Sequence, residues 1–155
     1  MWKFGCILVV GAAAYCSNAY GGDRRDILGI SPGMSHADAQ RVISDHHWTC
    51  ETRDRGVMIV DDCEVNKPKV ERIKISYATA SPDHSVFRVE MTGSISVAEA
   101  SRQFGRTPEI NGNGYSIWNL EDGLELGYYD LNSAGQLWLE QPKLSPASLQ
   151  QQKKQ

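Results

Sequence analysis

Three absences in this 155-residue chain each remove a class of function. There is no excess of basic residues: 16 Lys and Arg stand against 19 Asp and Glu, a net charge of −3. With no basic stripe to follow a phosphate backbone, nucleic acid is not an expected partner. Beyond the first 19 residues no apolar run is long enough for a membrane helix, which needs roughly 20 residues. Catalytic motifs are missing as well. The chain has no Gly-x-Ser-x-Gly elbow and no Cys-x-x-Cys. Gly112-Asn113-Gly114 lacks the strand-to-helix setting and the following Lys-Ser/Thr of a phosphate cradle. Nothing in the pattern calls for a cofactor.

What is present begins with an address. Met1-Trp2-Lys3 is a short basic start, Phe4 to Ala14 is apolar, and Ser17-Asn18-Ala19 puts small residues at the two positions a signal peptidase reads. Residues 1–19 are therefore expected to be a cleaved export signal. Cys16 sits where a bacterial lipoprotein carries its lipid, but Tyr15 occupies the preceding position, which should be small. A soluble periplasmic or secreted product is the favoured outcome, with lipid anchoring at Cys16 the alternative. Taking 19 from 155 leaves 136 residues, enough for one modest core. Cys6 and Cys16 depart with the signal. Cys50 and Cys63 remain, and an even count in an oxidising compartment favours a disulfide between them.

Periodicity then divides the mature chain. Tyr20 to Ile27 reads as a loose polar arm. Ser35 caps a first helix, with Asp38 three residues on, and Ala39, Val42, Ile43 and His46 fall on one face. Val57–Val60, Arg72–Tyr77 and Phe87–Met91 read as strands, the last two alternating strictly. Ser96 and Glu99 form a capping box for a second helix, with Val97, Ala100, Ser101 and Phe104 on its inner face, Gly105 as C-cap and Pro108 as stop. Tyr115–Asn119, Leu124–Tyr129 and Gln136–Glu140 are three further strands. Strict alternation implies one buried and one wet face. The expected fold is α+β, two layers, an antiparallel sheet of about six strands with two helices on one face. A single domain over residues 20–142 would hold helix-plus-three-strand pseudo-repeats at about 30–92 and 93–142. Residues 143–155, rich in Gln, Lys and Ser, read as a disordered tail.

Gly33-Met34-Ser35 opening a helix, followed by Cys50 and Cys63 around the next hairpin, resembles the repeat unit of the secreted β-lactamase inhibitor protein. Its fold is shared by small outer-membrane assembly lipoproteins of the SmpA/OmlA type. The resemblance implies helices packed on one face of an antiparallel sheet and, for the inhibitor's unit, a disulfide just after the helices. The second unit here has neither the Gly-Met-Thr-like turn nor cysteines. After Cys63 the chain reads Glu64-Val65-Asn66-Lys67-Pro68-Lys69, where the inhibitor's probing hairpin offers an Asp between tyrosines. No inhibitory residue carries over.

Two candidate sites remain. His36, His46 and His47 with nearby carboxylates outline a small hydrolase or metal-dependent enzyme. Against it, His36 and His47 lie about three helical turns apart, and adjacent acids such as Asp61-Asp62 point to opposite faces of a strand. The stronger candidate is the sheet face away from the helices. Alternation places Trp118, Tyr129 and Trp138 there, beside an ionic region carrying Arg72, Lys74, Arg88 and Glu90. Aromatics next to charges suit a protein partner. The expected function is an exported, non-catalytic protein-binding module.

Overall fold

The computed structural model describes residues 24–104, 108–110, 115–131 and 134–154. Its elements run α1 (His36–Asp45), β1 (Thr49–Asp54), β2 (Met58–Lys67), β3 (Val70–Ala78), β4 (Val86–Gly93), α2 (Val97–Phe104), β5 (Glu109–Ile110), β6 (Tyr115–Asn119), β7 (Glu125–Asp130), β8 (Gly135–Glu140) and α3 (Pro146–Gln152). The strands form one antiparallel sheet in the order β1-β2-β3-β4-β8-β7-β6-β5. Each half is a helix followed by a four-strand meander, and the halves join where β4 pairs with β8.

The α+β class and the antiparallel sheet stand, with eight strands rather than six and three α-helices rather than two. Both extra strands lack the signal that alternation supplies. β1 reads Thr-Cys-Glu-Thr-Arg-Asp and is exposed at every residue but Cys50, because it is the sheet's edge. Charged, polar edges are what keep a sheet from pairing with other chains. β5 is two residues long. Each unit thus has four strands where three were expected.

The helix caps form as the sequence implies. Ser35 Oγ accepts the Asp38 amide at 3.1 Å. At α2, Ser96 Oγ accepts the Glu99 amide at 3.2 Å and Glu99 accepts the Ser96 amide at 3.0 Å, a reciprocal capping box. Gly105, expected as its C-cap, lies outside the described residues. Ala39 and Ile43 of α1 and Ala100 and Phe104 of α2 are buried in the core, whereas His46 is exposed and stacks on Trp48 at 4.9 Å.

Register explains the core. One row of facing side chains crosses seven strands as Thr52, Asp61, Ile75, Val89, Leu139, Leu126 and Trp118. The next runs Cys50, Cys63, Ile73, Met91, Leu137, Tyr128 and Ser116. These rows, with the inner faces of α1 and α2, make up most of the hydrophobic core. Cys50 and Cys63 face each other directly and are joined by a disulfide.

Both ends of the described chain are more ordered than composition implied. Ile27 and Ile30 exchange backbone hydrogen bonds across a turn whose Leu28 and Gly29 have positive φ, and both isoleucines are buried. The arm is thus pinned by its own C-terminal end. Residues 143–155 were expected as a disordered tail; instead a 3-10 turn at Pro142–Leu144 leads into it and Ser145 caps α3, its Oγ accepting the Ser148 amide. Pro146 at the first helical turn has the φ a helix start needs. A polar composition had hidden those local start signals.

Candidate functional site

The sheet face away from α1 and α2 is built by the residues between the core rows. Its rows run Glu51, Asp62, Lys74, Glu90, Trp138, Gly127 and Ile117; Thr49, Glu64, Arg72, Thr92, Gln136, Tyr129 and Tyr115; and Arg53, Val60, Ser76, Arg88, Glu140, Glu125 and Asn119. The first four strands supply charge, and β6 to β8 supply aromatic and apolar surface.

Trp118 is a correction. Expected on this face, it is buried to 2% exposure on the core side, paired with Leu126. On β6 either parity offers one bulky pair, Tyr115 with Ile117 or Ser116 with Trp118, so alternation does not decide. Pairing places the indole, the largest apolar group, on the inner row, and Tyr115 and Ile117 take the outer face instead. A one-residue shift moves every side chain of a strand to the other face. Tyr129, 40% exposed, and Trp138, half-buried, are on the outer face.

Trp138 is not a free-standing ring. Its partner across β7 is Gly127, where a Cβ would come within 1.9 Å of the indole, so glycine is what lets the ring lie across that strand. The Arg88 guanidinium sits 5.1 Å from the ring centroid. Tyr115 and Tyr129 face each other across β6 and β7. The signal for this arrangement was legible: a glycine inside a strand marks a close approach.

The cations of the charged half are engaged. Arg72 pairs with Asp62 at 2.8 Å, Lys74 with Glu90 at 3.7 Å, and Arg88 with Glu90 at 3.1 Å and Glu140 at 3.2 Å. Burial pushes Glu140 above the usual carboxylate range; Glu125 adds to the rise, and Arg88 opposes it.

The histidines do not converge. His36, at the start of α1, packs edge-on against Tyr77 at 4.6 Å and lies 6.5 Å from His84. His46 and His47 are exposed at the far end of the helix. Among the described residues no group of three or more His, Cys, Asp or Glu side chains is placed to hold a metal ion.

A polar cluster that pattern alone missed lies beneath α1. Asp61 is fully buried and accepts hydrogen bonds from Gln40 at 2.6 Å, Thr52 at 2.6 Å and Tyr77 at 2.8 Å. Burial, and then the Asp61 carboxylate, push the Tyr77 hydroxyl far above its ordinary range, so it remains a donor. Three donors satisfy a buried carboxylate and tie α1 to β1, β2 and β3. A cavity of about 160 Å³ also lies on the helix side, floored by Ile27, Met91 and Leu137. The ionic groups lining it pair with one another, Arg24 with Asp26 and Lys69 with Glu99.

Comparison with protein-family models, with curated proteins and with solved structures found no match.

Proposed function

We propose that this chain is an exported, non-catalytic binding module of the bacterial envelope or secreted space, engaging a protein partner through the sheet face away from α1 and α2. The observation that carries the reading is the aromatic and apolar strip of Tyr129, Tyr115, Trp138 and Ile117 beside an ion-paired region on the same face. Large aromatics at the centre of a polar-rimmed patch dominate interface energetics. The Cys50–Cys63 disulfide supports an oxidising compartment, in keeping with the signal-like N-terminus. No helix among the described residues is long and apolar enough to cross a membrane. The resemblance to the β-lactamase inhibitor and to the assembly lipoproteins supports a fold that presents a sheet, not a particular partner.

The test is capture of partners from an envelope extract by the purified protein, followed by affinity measurement with Tyr129→Ala. A hot-spot tyrosine costs at least about 2 kcal/mol on truncation, or roughly thirtyfold in affinity. A complex unaffected by that change would place the interface elsewhere.

A further inference from the structure

We propose that the cavity on the helix side is a binding site for a small uncharged aromatic molecule, of phenol to indole size. The inference stands apart from the protein-binding reading, because the cavity lies on the opposite side of the sheet from Tyr129 and Trp138.

The cavity forms at the seam between the two halves. Met91 of β4 and Leu137 of β8 face each other across the joining ladder and floor it together with Ile27 of the N-terminal arm. Leu28, Val70 and Ile95 supply apolar walls. Its volume is about 160 Å³. An apolar cavity of about 150 Å³ is enough to hold benzene.

Two of the walls are set by the backbone. Leu28 has a φ of 54° in the turn that pins the arm, a position where asparagine or glycine is usual. Lys69 has a φ of 67° in the turn between β2 and β3. That turn lies so close to β4 that a Cβ on Gly93 would come within 2.0 Å of the Lys69 carbonyl oxygen. Bulky residues in the left-handed region persist only where the surroundings over-determine them, and they cluster at ligand sites. Here both line one cavity, and neither is free to relax into it.

The lining selects the class of ligand. Its four charged side chains neutralise one another, Arg24 with Asp26 at 3.4 Å and Lys69 with Glu99 at 2.5 Å. A charged ligand would have to break one of these pairs or lie unpaired on the apolar floor. Gln103 of α2 supplies an uncharged donor and acceptor for the O–H of a phenol or the N–H of an indole. On the floor, the Met91 thioether favours an aromatic ring over an aliphatic one, because sulfur makes favourable contacts at ring edges.

The test follows the carbon-13-labelled methionine methyls and the backbone amides of the purified protein during titration with indole and with phenol. The proposal expects a saturable shift of the Met91 methyl, with Met34 and Met58, which do not line the cavity, unmoved. Saturation should raise the melting temperature. Benzoate and protonated benzylamine should bind at least about tenfold more weakly than phenol, and cyclohexanol more weakly than phenol. Ile95→Phe enlarges one wall and should weaken indole by at least about tenfold. Val70→Leu repeats that test at another wall, so the outcome does not depend on the folding of one variant.

A Met91 methyl indifferent to both ligands would overturn the proposal, as would shifts centred on Tyr129 and Trp138 in its place. Benzoate, benzylamine or cyclohexanol binding as tightly as phenol would overturn the ligand class. Unchanged indole affinity in the folded wall variants would remove the site.

Discussion

Asp61 ties α1 to β1, β2 and β3 from inside the core. It is a buried carboxylate with three side-chain donors and no cation partner among the described residues, so each donor matters. Hydrogen bonds to a charged group are worth about 1.5–3 kcal/mol each. Tyr77→Phe should therefore lower stability by about 2 kcal/mol. Asp61→Ala, which strands Tyr77, Thr52 and Gln40 together, should cost at least about 3 kcal/mol. Denaturant titration of both variants measures this, and a neutral Asp61→Ala would mean the cluster holds nothing. Trp118→Ala should cost about 3–5 kcal/mol as a core truncation; a loss under about 1 kcal/mol would put Trp118 back on the surface. The opposed directions of Asp61 and Asp62 were legible from strand alternation, because successive side chains must alternate. The partners of Asp61 were not, because Gln40, Thr52 and Tyr77 come from three other elements and meet only through register. Trp118 was misread because the two parities of its strand offer the core similar apolar content.

Among elements, α2 has a start closed by an ionised group tied to a neighbouring strand end, Glu99 with Lys69. Glu99 is held down to about 2 from an ordinary 4.5, first by Lys69 and then by the Ser96 amide and hydroxyl. A carboxyl lowered on folding stabilises the folded state fully above its unfolded value and loses that contribution as pH falls through the folded one. The first turn of α2 should therefore lose amide protection between about pH 4.5 and pH 2. In Glu99→Gln the same amides should show no such transition. At the sheet edge, β1 is mostly exposed and is fastened by its ladder to β2, by Thr52 to Asp61, and by the disulfide. Closing a loop of this length stabilises by about 3 kcal/mol in the chain-entropy model. The paired change Cys50→Ala with Cys63→Ala should show that loss in thermal melts. The starts of α1 and α2 were legible because capping is local chemistry, whereas the Ser145 cap of α3 was passed over inside a polar stretch. β1 was not, since an edge strand has no apolar face to announce it.

At the scale of the molecule, the eight strands produce two unlike faces. One is covered by α1 and α2 and holds the core; the other sets an ion-paired region beside an aromatic strip. The division of that outer face into ionic and aromatic parts was legible from β4, β7 and β8, where one parity is plainly apolar. The occupants contributed by β6 were not, for the reason that misplaced Trp118. The central claim is that the β6–β8 part of this outer face is where a partner binds. Its most direct test compares the affinity of the captured complex for two surface variants, Tyr129→Ala on this face and Arg41→Ala on the exposed side of α1. The account predicts unfolding free energies unchanged within about 1 kcal/mol for both. Affinity should fall roughly thirtyfold for Tyr129→Ala and hold for Arg41→Ala. A complex weakened by Arg41→Ala and indifferent to Tyr129→Ala would contradict it.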